Sequence, residues 1–200
     1  MPRWSLLALA YASVAALALS LAEFVFERSA FTYATPWLKL PGVMTHVYSL
    51  ALGVALGALV VFATRKLVDR AAWARELARA LRPFARGLSG TGILLLALFS
   101  SLGEELLFRG LLQPSLGLWF QALLFGVLHQ VSGPSRWAWV TWAGLVGLLF
   151  GMIFAATGSL LGPIAAHALI NGLNLNFLQN HDPELSRRGL GGLLGQRSRA

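Results

Sequence analysis

The chain of 200 residues is 56% hydrophobic and only 12% charged, whereas a soluble domain of this size carries about 25% charged residues. It contains no cysteine, which excludes disulfide bonds, thiolate metal ligands and a cysteine nucleophile. The net charge of +8 does not indicate nucleic-acid binding, because the basic residues lie in short segments between apolar runs. We therefore expect one integral-membrane domain over residues 1–200.

The apolar runs predict an all-α fold, a polytopic transmembrane helix bundle of about six spans. A span takes roughly 20 residues, and the runs cover, in chain order, residues 5–26, 43–63, 91–112, 116–131, 137–156 and 160–178. The first run exceeds the roughly 7–15 apolar residues of a signal peptide, so we expect it to be an uncleaved span. The fourth is short, which favours a tilted or partly re-entrant helix.

The segment between the second and third spans, residues 64–90, is strongly basic. Within it, residues 65–87 carry arginines around most of a helix, and the apolar side chains share one side: Leu67, Ala71, Trp73, Leu77, Ala80 and Leu81. This pattern predicts an interfacial amphipathic helix that is attracted to anionic headgroups. A solvated cytoplasmic helix that only sets the topology fits the same pattern.

The lysines and arginines indicate the orientation. With six alternating spans, all basic residues fall on the side of this segment except Arg28, Lys39 and the intramembrane Arg109. By the positive-inside rule that side is the cytoplasm, and both termini lie there, together with the polar tail at 179–200. The arginine- and alanine-rich composition is typical of a bacterium. We expect a multi-pass protein of the bacterial inner membrane.

The third span holds the charged residues with the clearest functional meaning. Glu104, Glu105 and Arg109 interrupt an otherwise uncharged run. A charge at the centre of a bilayer costs about 2.5–3.5 kcal/mol on insertion scales, so it must pair or face a wet cavity. Glu105 and Arg109 are spaced i,i+4 and are expected to form an ion pair. Glu104, about 100° around the helix, remains available for another partner.

The fourth and sixth spans supply such partners. Phe125 and His129 share a helix face at i,i+4 spacing, as do His167 and Asn171. At 1.5 Å per residue, Glu104 and His167 fall within about 3 Å of the midplane, and His129 and Asn171 lie about 5–8 Å toward the cytoplasm. We expect these side chains to line one cavity, although each histidine alone could serve as an interhelical hydrogen-bonding group.

Glutamate, histidine and amide side chains without an evident covalent nucleophile are typical of water activation. A carboxylate in a low-dielectric site can act as a general base near neutral pH, and a histidine beside it can polarise the same water. A second histidine with an amide donor can stabilise an oxyanion. Ser100 and Ser101 lie one turn before Glu104, but serines in membrane helices usually bond to backbone carbonyl groups.

Three motifs occur in order on three apolar spans: Glu104-Glu105-x-x-x-Arg109, Phe125-x-x-x-His129 and His167-x-x-x-Asn171. Over about residues 100–176 the chain resembles the CPBP family, the CAAX-protease and bacteriocin-processing membrane proteins. The resemblance implies an intramembrane glutamic endopeptidase with a catalytic core at about 91–178 and no cofactor. It implies that Glu104 is the base, that His129 helps to activate water, and that His167 and Asn171 contact the oxyanion or the substrate. Supporting roles fall to Glu105, Arg109 and Phe125.

The expected partners are a membrane-associated or C-terminally anchored peptide substrate and the lipid bilayer. Members that act on prenylated proteins have about eight spans, so the six expected here do not favour a prenyl-binding groove. Two other classes of function remain open. One is a metal-dependent membrane protease, since glutamate and two histidines can bind Zn²⁺, although no His-Glu-x-x-His motif is present. The other is a non-catalytic scaffold, an immunity protein or a proton-coupled transporter that uses the same cluster.

Overall fold

The computed structural model describes residues 3–182, and within that range the chain is a helix bundle without strands. This confirms the predicted all-α membrane class. The helices are α1 (Arg3–Phe24), α2 (Val43–Arg70), α3 (Ala72–Arg86), α4 (Gly90–Glu105), α5 (Gln113–Leu116), α6 (Leu118–Leu128), α7 (Arg136–Thr157) and α8 (Leu161–Asn180), and a π-helical segment, Leu106–Leu112, joins α4 to α5. Most of the predicted polar tail, including its arginines, lies outside the described residues.

The long helices alternate in direction, so the bundle has two chemically different ends. At the end formed by α3, which we call the basic end, Ser135 Oγ donates to the Trp73 carbonyl and thereby joins the start of α7 to α3. At the opposite end, Arg28 donates to the Leu111 carbonyl, and the backbone of segment 25–42 bonds to the α7–α8 turn through Tyr33 N–H and Gly158 O. Segment 25–42 therefore covers the opposite end of the bundle.

All six apolar runs form helices, but they differ in length and polarity. Among the described residues, four helices are long and apolar enough to cross a membrane: Trp4–Phe24, Val43–Arg70, Gly90–Leu116 and Arg136–Thr157. α6 has only 11 residues, or about 16 Å. α8 has 20 residues but carries polar side chains along its length, and it packs against α2 and α4 in the bundle interior. His129 follows α6 directly and His167 lies in α8, so both histidines belong to the two helices that are too short or too polar to count among the four membrane-spanning candidates.

The predicted amphipathic helix at 65–87 is two helices rather than one. α2 continues to Arg70, and Ala71 adopts an extended conformation (φ −105°, ψ 132°) before α3 begins. Ala80, predicted on the apolar side, is exposed, whereas Ala74 and Ala78 are buried, because the side of α3 that packs on α2 and α8 is centred on Ala74, Leu77 and Ala78. α3 keeps the predicted amphipathic character: its buried side packs on α2 and α8.

Glycines allow α2 and α8 to approach each other closely. A side chain at Gly53 of α2 would collide with the backbone of Gly162 at the start of α8, and Gly162 in turn lies against the Ser49 carbonyl. Ser49 Oγ accepts from Gly162 N–H at 3.0 Å and donates to Ser159 O at 2.7 Å, so the contact is both close and polar. This contact sets the position of α8 relative to α2.

We expect Gly53→Ala to destabilise the protein by about 1–3 kcal/mol or more, because the added methyl group meets backbone atoms that cannot rotate away. Thermal unfolding of the detergent-solubilised protein measures the effect. Gly90→Ala is the matched control, since a methyl group at that exposed position meets nothing within 4 Å. Equal unfolding temperatures for the two variants would contradict the structural role of the α2–α8 contact.

Candidate active site

The site is built around a buried ion pair between the last residue of α4, Glu105, and Arg109 of the π segment. Arg109 Nη1 donates to Glu105 Oε1 at 2.9 Å, and both side chains have no solvent exposure. The other terminal nitrogen, Arg109 Nη2, donates to the carbonyl of Gly147 in α7 at 2.8 Å. The i,i+4 pair predicted from the sequence is thus present. Arg109 also links the π segment that follows α4 to α7, and sequence spacing did not indicate this contact.

The helix changes its winding directly after this glutamate. Residues Leu106–Leu112 form the π segment, which contains Arg109. Single π turns are rare in proteins and occur preferentially at functional sites. Glu104 and Glu105 are the last residues of regular α-helix before it. The polar side chains therefore stand where the backbone changes its winding.

His167 of α8 connects the two adjacent glutamates. Its Nδ1 lies 2.7 Å from Glu105 Oε1, which makes a short buried hydrogen bond, and its Nε2 lies 3.9 Å from Glu104 Oε2. Since a carboxylate accepts, Nδ1 carries the hydrogen and Nε2 faces Glu104. From its spacing, His167 was paired with Asn171 alone. The structure adds Glu105 as the group that orients the imidazole ring.

His129 approaches the same carboxylate from α6. It caps the C-terminus of that short helix in a non-helical conformation (φ −87°, ψ 62°). Its Nδ1 donates to the Phe125 carbonyl at 2.7 Å, and its Nε2 lies 3.5 Å from Glu104 Oε2. α6 was predicted to continue to about residue 131. It ends at Leu128, and the non-helical backbone of His129 brings its ring beside Glu104.

Glu104 is thus the point where the two histidines meet. Its side chain is 13% exposed, and Oε2 is a buried oxygen with no hydrogen-bond partner within the described residues. A neutral imidazole that donates through Nδ1 presents a lone pair at Nε2, and both histidines direct that atom toward Oε2. A water beside these three acceptors can donate its two hydrogens to two of them, for example to Glu104 Oε2 and one Nε2.

Phe125 forms an aromatic wall of the site, as its spacing indicated. Its ring centroid lies 4.3 Å from that of His129 and 5.9 Å from that of His167. The Arg109 guanidinium carbon lies 4.4 Å from the same ring centroid, within the range of a cation–π interaction. Phe125 therefore separates the buried arginine from the cavity and restricts the two imidazole rings.

Asn171 lies one helical turn after His167, on the predicted face. Its Nδ2 donates to Ser100 Oγ at 2.9 Å, so the amide is held beside the turn that precedes Glu104. Ser100 therefore has an interhelical partner, whereas Ser101 bonds to the carbonyls of Ala97 and Leu98, as expected for a serine in a membrane helix. Asn171 borders the site but has no described hydrogen bond to Glu104 or to either histidine.

Tyr11 of α1 is a site residue that sequence reasoning missed. Its phenol group faces the Glu104 side chain, and the backbone of Tyr11 lies against Gly103, where any side chain would collide with the Tyr11 carbonyl. A lone tyrosine in the first apolar run carries no motif. The only available signal was the glycine directly before the glutamate pair, which permits another helix to approach closely.

Two buried glutamines extend the polar interior beyond Arg109. Gln113 Nε2 donates to Gly151 O at 2.9 Å, and Gln121 Nε2 lies 3.5 Å from Gly147 O. Both side chains are at most 1% exposed. Gly147 and Gly151 of α7 have no side chains to block these contacts. The carbonyl groups of these glycines hold polar side chains in the interior of the bundle.

A cavity of about 140 Å³ leads from the site toward the basic end. Its inner part is lined by Phe125, His129, His167 and Asn171. Its outer part is mainly apolar and is formed by the ends of α2 and α8, the start of α7 and the buried side of α3: Leu67, Trp73, Leu77, Leu81, Trp142 and Phe177. At the other end of the bundle, segment 25–42 covers the helices.

The residues described, 3–182, contain no group of three or more histidine, aspartate or glutamate side chains arranged to hold a metal ion. Glu104, His129 and His167 thus approach one another without forming such a set. The Nε2 atoms of His129 and His167 lie 3.5 and 3.9 Å from Glu104 Oε2 without a described hydrogen bond to it.

Comparison with known proteins finds similarity over this part of the chain. Residues 88–173 match the family model described as type II CAAX prenyl endopeptidase, Rce1-like. The chain is also 36% identical over 81 residues to the uncharacterized protein YpbD of Bacillus subtilis (strain 168). These residues make up 40% of this chain and 42% of YpbD. The matched segment is thus less than half of the relative's length. No solved structure is significantly similar. The resemblance predicted from the three motifs is confirmed for residues 88–173, which match the type II CAAX prenyl endopeptidase Rce1-like family.

Proposed function

We propose that the protein is an intramembrane endopeptidase that hydrolyses a peptide bond of a membrane-associated substrate with glutamate-activated water. The observation that carries the proposal is the arrangement of Glu104 Oε2 opposite the Nε2 atoms of His129 and His167, at 3.5 and 3.9 Å. The match to an endopeptidase family over residues 88–173 supports the same reaction class.

In the first step, Glu104 acts as the general base. A water held between Glu104 Oε2 and His129 Nε2 loses a proton to the carboxylate as its oxygen attacks the carbonyl carbon of the scissile bond. His129 has its Nδ1 hydrogen engaged by the Phe125 carbonyl, so a neutral ring presents an acceptor at Nε2. The two acceptors orient both hydrogens of the water and direct its lone pair to the substrate.

The tetrahedral intermediate needs a donor for its oxyanion. His167 keeps its bond to Glu105 through Nδ1, and when Nε2 carries a hydrogen this atom can donate to the oxyanion. The Asn171 amide is close to the same face of α8 and is a second candidate donor. Collapse of the intermediate breaks the C–N bond, and the proton held by Glu104 passes to the leaving amine.

Glu105 and Arg109 act on the reaction through His167. Arg109 is fixed by the Gly147 carbonyl and holds Glu105, which in turn fixes the imidazole. Such support matters because a site must hold its reacting groups within about 0.5 Å of the productive geometry. We therefore assign both residues to positioning and assign Phe125 to the wall that orients the two rings.

The experiment that tests the function is a comparison of peptide termini, by mass spectrometry, in cells that carry the wild-type protein or Glu104→Gln. We expect a set of termini that is present with the wild type and absent with the variant, and these termini identify the substrates. Identical termini, with the variant folded at wild-type level in the membrane, would refute the protease assignment and favour a scaffold or transporter. Loss of cleavage on chelation, reversed by added Zn²⁺, would favour the metal-dependent alternative.

We expect Tyr11→Phe to lower kcat about tenfold. A hydrogen bond to a charged group contributes about 1.5–3 kcal/mol at most, and a rise of about 1.4 kcal/mol in the activation free energy slows the reaction tenfold. The folded yield should not change, because the ring remains to pack against α4. Tyr48→Phe is the matched control, as Tyr48 is 47% exposed on α2. Unchanged turnover in Tyr11→Phe would remove Tyr11 from the site.

A further inference from the structure

α3 has two faces with different environments. The inner face buries Ala74, Leu77 and Ala78 against the bundle. Trp73 and Leu77 of this face line the cavity that ends at His129 and His167. The position of α3 therefore determines the width of the cavity beside the candidate active site.

The outer face of α3 and the last turns of α2 form one cationic surface. Residues 65–86 carry seven basic and two acidic side chains. The exposed basic residues include Arg65, Lys66 and Arg70 of α2 and Arg79 and Arg86 of α3. The two acids, Asp69 and Glu76, offset only two of these charges, so an excess of five positive charges remains.

Apolar side chains mark where this surface meets the membrane. Leu59 and Phe62 of α2 are 62% and 60% exposed, as expected for residues that face lipid tails. Lys66, one turn later, places its Nζ 5.5 Å from the centroid of the Phe62 ring. On α3, Phe84 is 45% exposed between the basic residues. The cationic surface thus begins where the lipid-facing surface of α2 ends, at the level of the headgroups.

We propose that this surface, Arg65 to Arg86, binds the headgroups of anionic lipids, and that the contact holds α3 in place as the wall of the cavity. Arginine and lysine attract anionic headgroups, and a basic amphipathic helix with an exposed aromatic residue lies in the plane of the interface. Charge complementarity and the continuity with the lipid-facing surface of α2 identify lipid as the occupant. The binding of lipid does not depend on the proposed function, whereas any consequence of the position of α3 for peptide hydrolysis rests on it.

The binding is tested by native mass spectrometry of the full-length protein in detergent with equal amounts of phosphatidylglycerol and phosphatidylcholine. We expect the wild type to retain phosphatidylglycerol at least fivefold in excess, and Arg79→Gln/Arg86→Gln to lose most of that excess. Arg86→Gln and Lys39→Gln each remove one positive charge, at the basic end and at the opposite end. Only Arg86→Gln should weaken retention. Equal retention of both lipids by the wild type, or no effect of the double substitution, would overturn the proposal.

The coupling to α3 is tested by hydrogen exchange in nanodiscs of phosphatidylcholine alone or with one quarter phosphatidylglycerol. We expect amide exchange in residues 72–86 to slow several-fold with the anionic lipid in the wild type and to stay unchanged in Arg79→Gln/Arg86→Gln. Exchange that is insensitive to lipid would refute the coupling. A protein that binds anionic lipid and orders α3 but cleaves nothing in either nanodisc would contradict the proposed function while leaving this inference intact.

Discussion

Glu104→Gln is expected to abolish peptide hydrolysis, with a fall in kcat of about 10²–10⁴-fold, while the protein stays folded in the membrane. The amide is nearly isosteric with the carboxylate but cannot accept a proton from water, and a positioned general base contributes a factor of this size. Single-turnover assays of the purified variants on a peptide that spans an identified cleavage site measure the loss.

Two further variants make this result specific. Glu23→Gln is an exposed glutamate substitution on α1 and should leave both activity and stability unchanged. Glu105→Gln replaces the adjacent carboxylate and should instead lower the stability, because it removes the charge that compensates Arg109. If Glu104→Gln cleaved at the wild-type rate, Glu104 would not be the base and the mechanism above would be wrong.

Arg109→Met is expected to destabilise the folded protein by about 3–5 kcal/mol, the usual cost of leaving one member of a buried ion pair without its partner. Glu105 would then be a carboxylate with no solvent exposure whose remaining described hydrogen bond is to His167. The folded yield after size-exclusion chromatography and the midpoint of thermal unfolding measure the effect.

The reason for the loss can be tested with a second substitution. Glu105→Gln/Arg109→Met should recover a large part of the lost stability, because no buried charge remains unpaired. Arg82→Met is the control, since its ion pair with Asp182 is 21% and 28% exposed and such pairs are worth about 0–1 kcal/mol. Normal stability of Arg109→Met would contradict the stabilising role of the buried ion pair and leave Arg109 with a role in the reaction alone.

The sequence alone was sufficient for the features that depend on local spacing. The apolar runs determined the helical membrane class, since a bilayer requires about 20 apolar residues per span. The i,i+4 spacing determined the Glu105–Arg109 pair, because both residues lie on one continuous helical segment and its geometry fixes the distance between their side chains. The same geometry showed that Glu104 points away from Arg109 and is available to another partner.

Other features were decided by the tertiary structure. Tyr11 faces Glu104 because α1 approaches α4 closely at Gly103, and His167 bonds to Glu105 because α8 packs along α4. Spacing within one helix does not indicate which other helix it meets. The break at Ala71 and the π segment depend on backbone conformations that no residue type there demands. α6 ends before His129, and the non-helical conformation of His129 gives its ring the orientation in which Nε2 faces Glu104. Spacing within a helix determines which side chains share a face, whereas the packing of helices determines what that face meets.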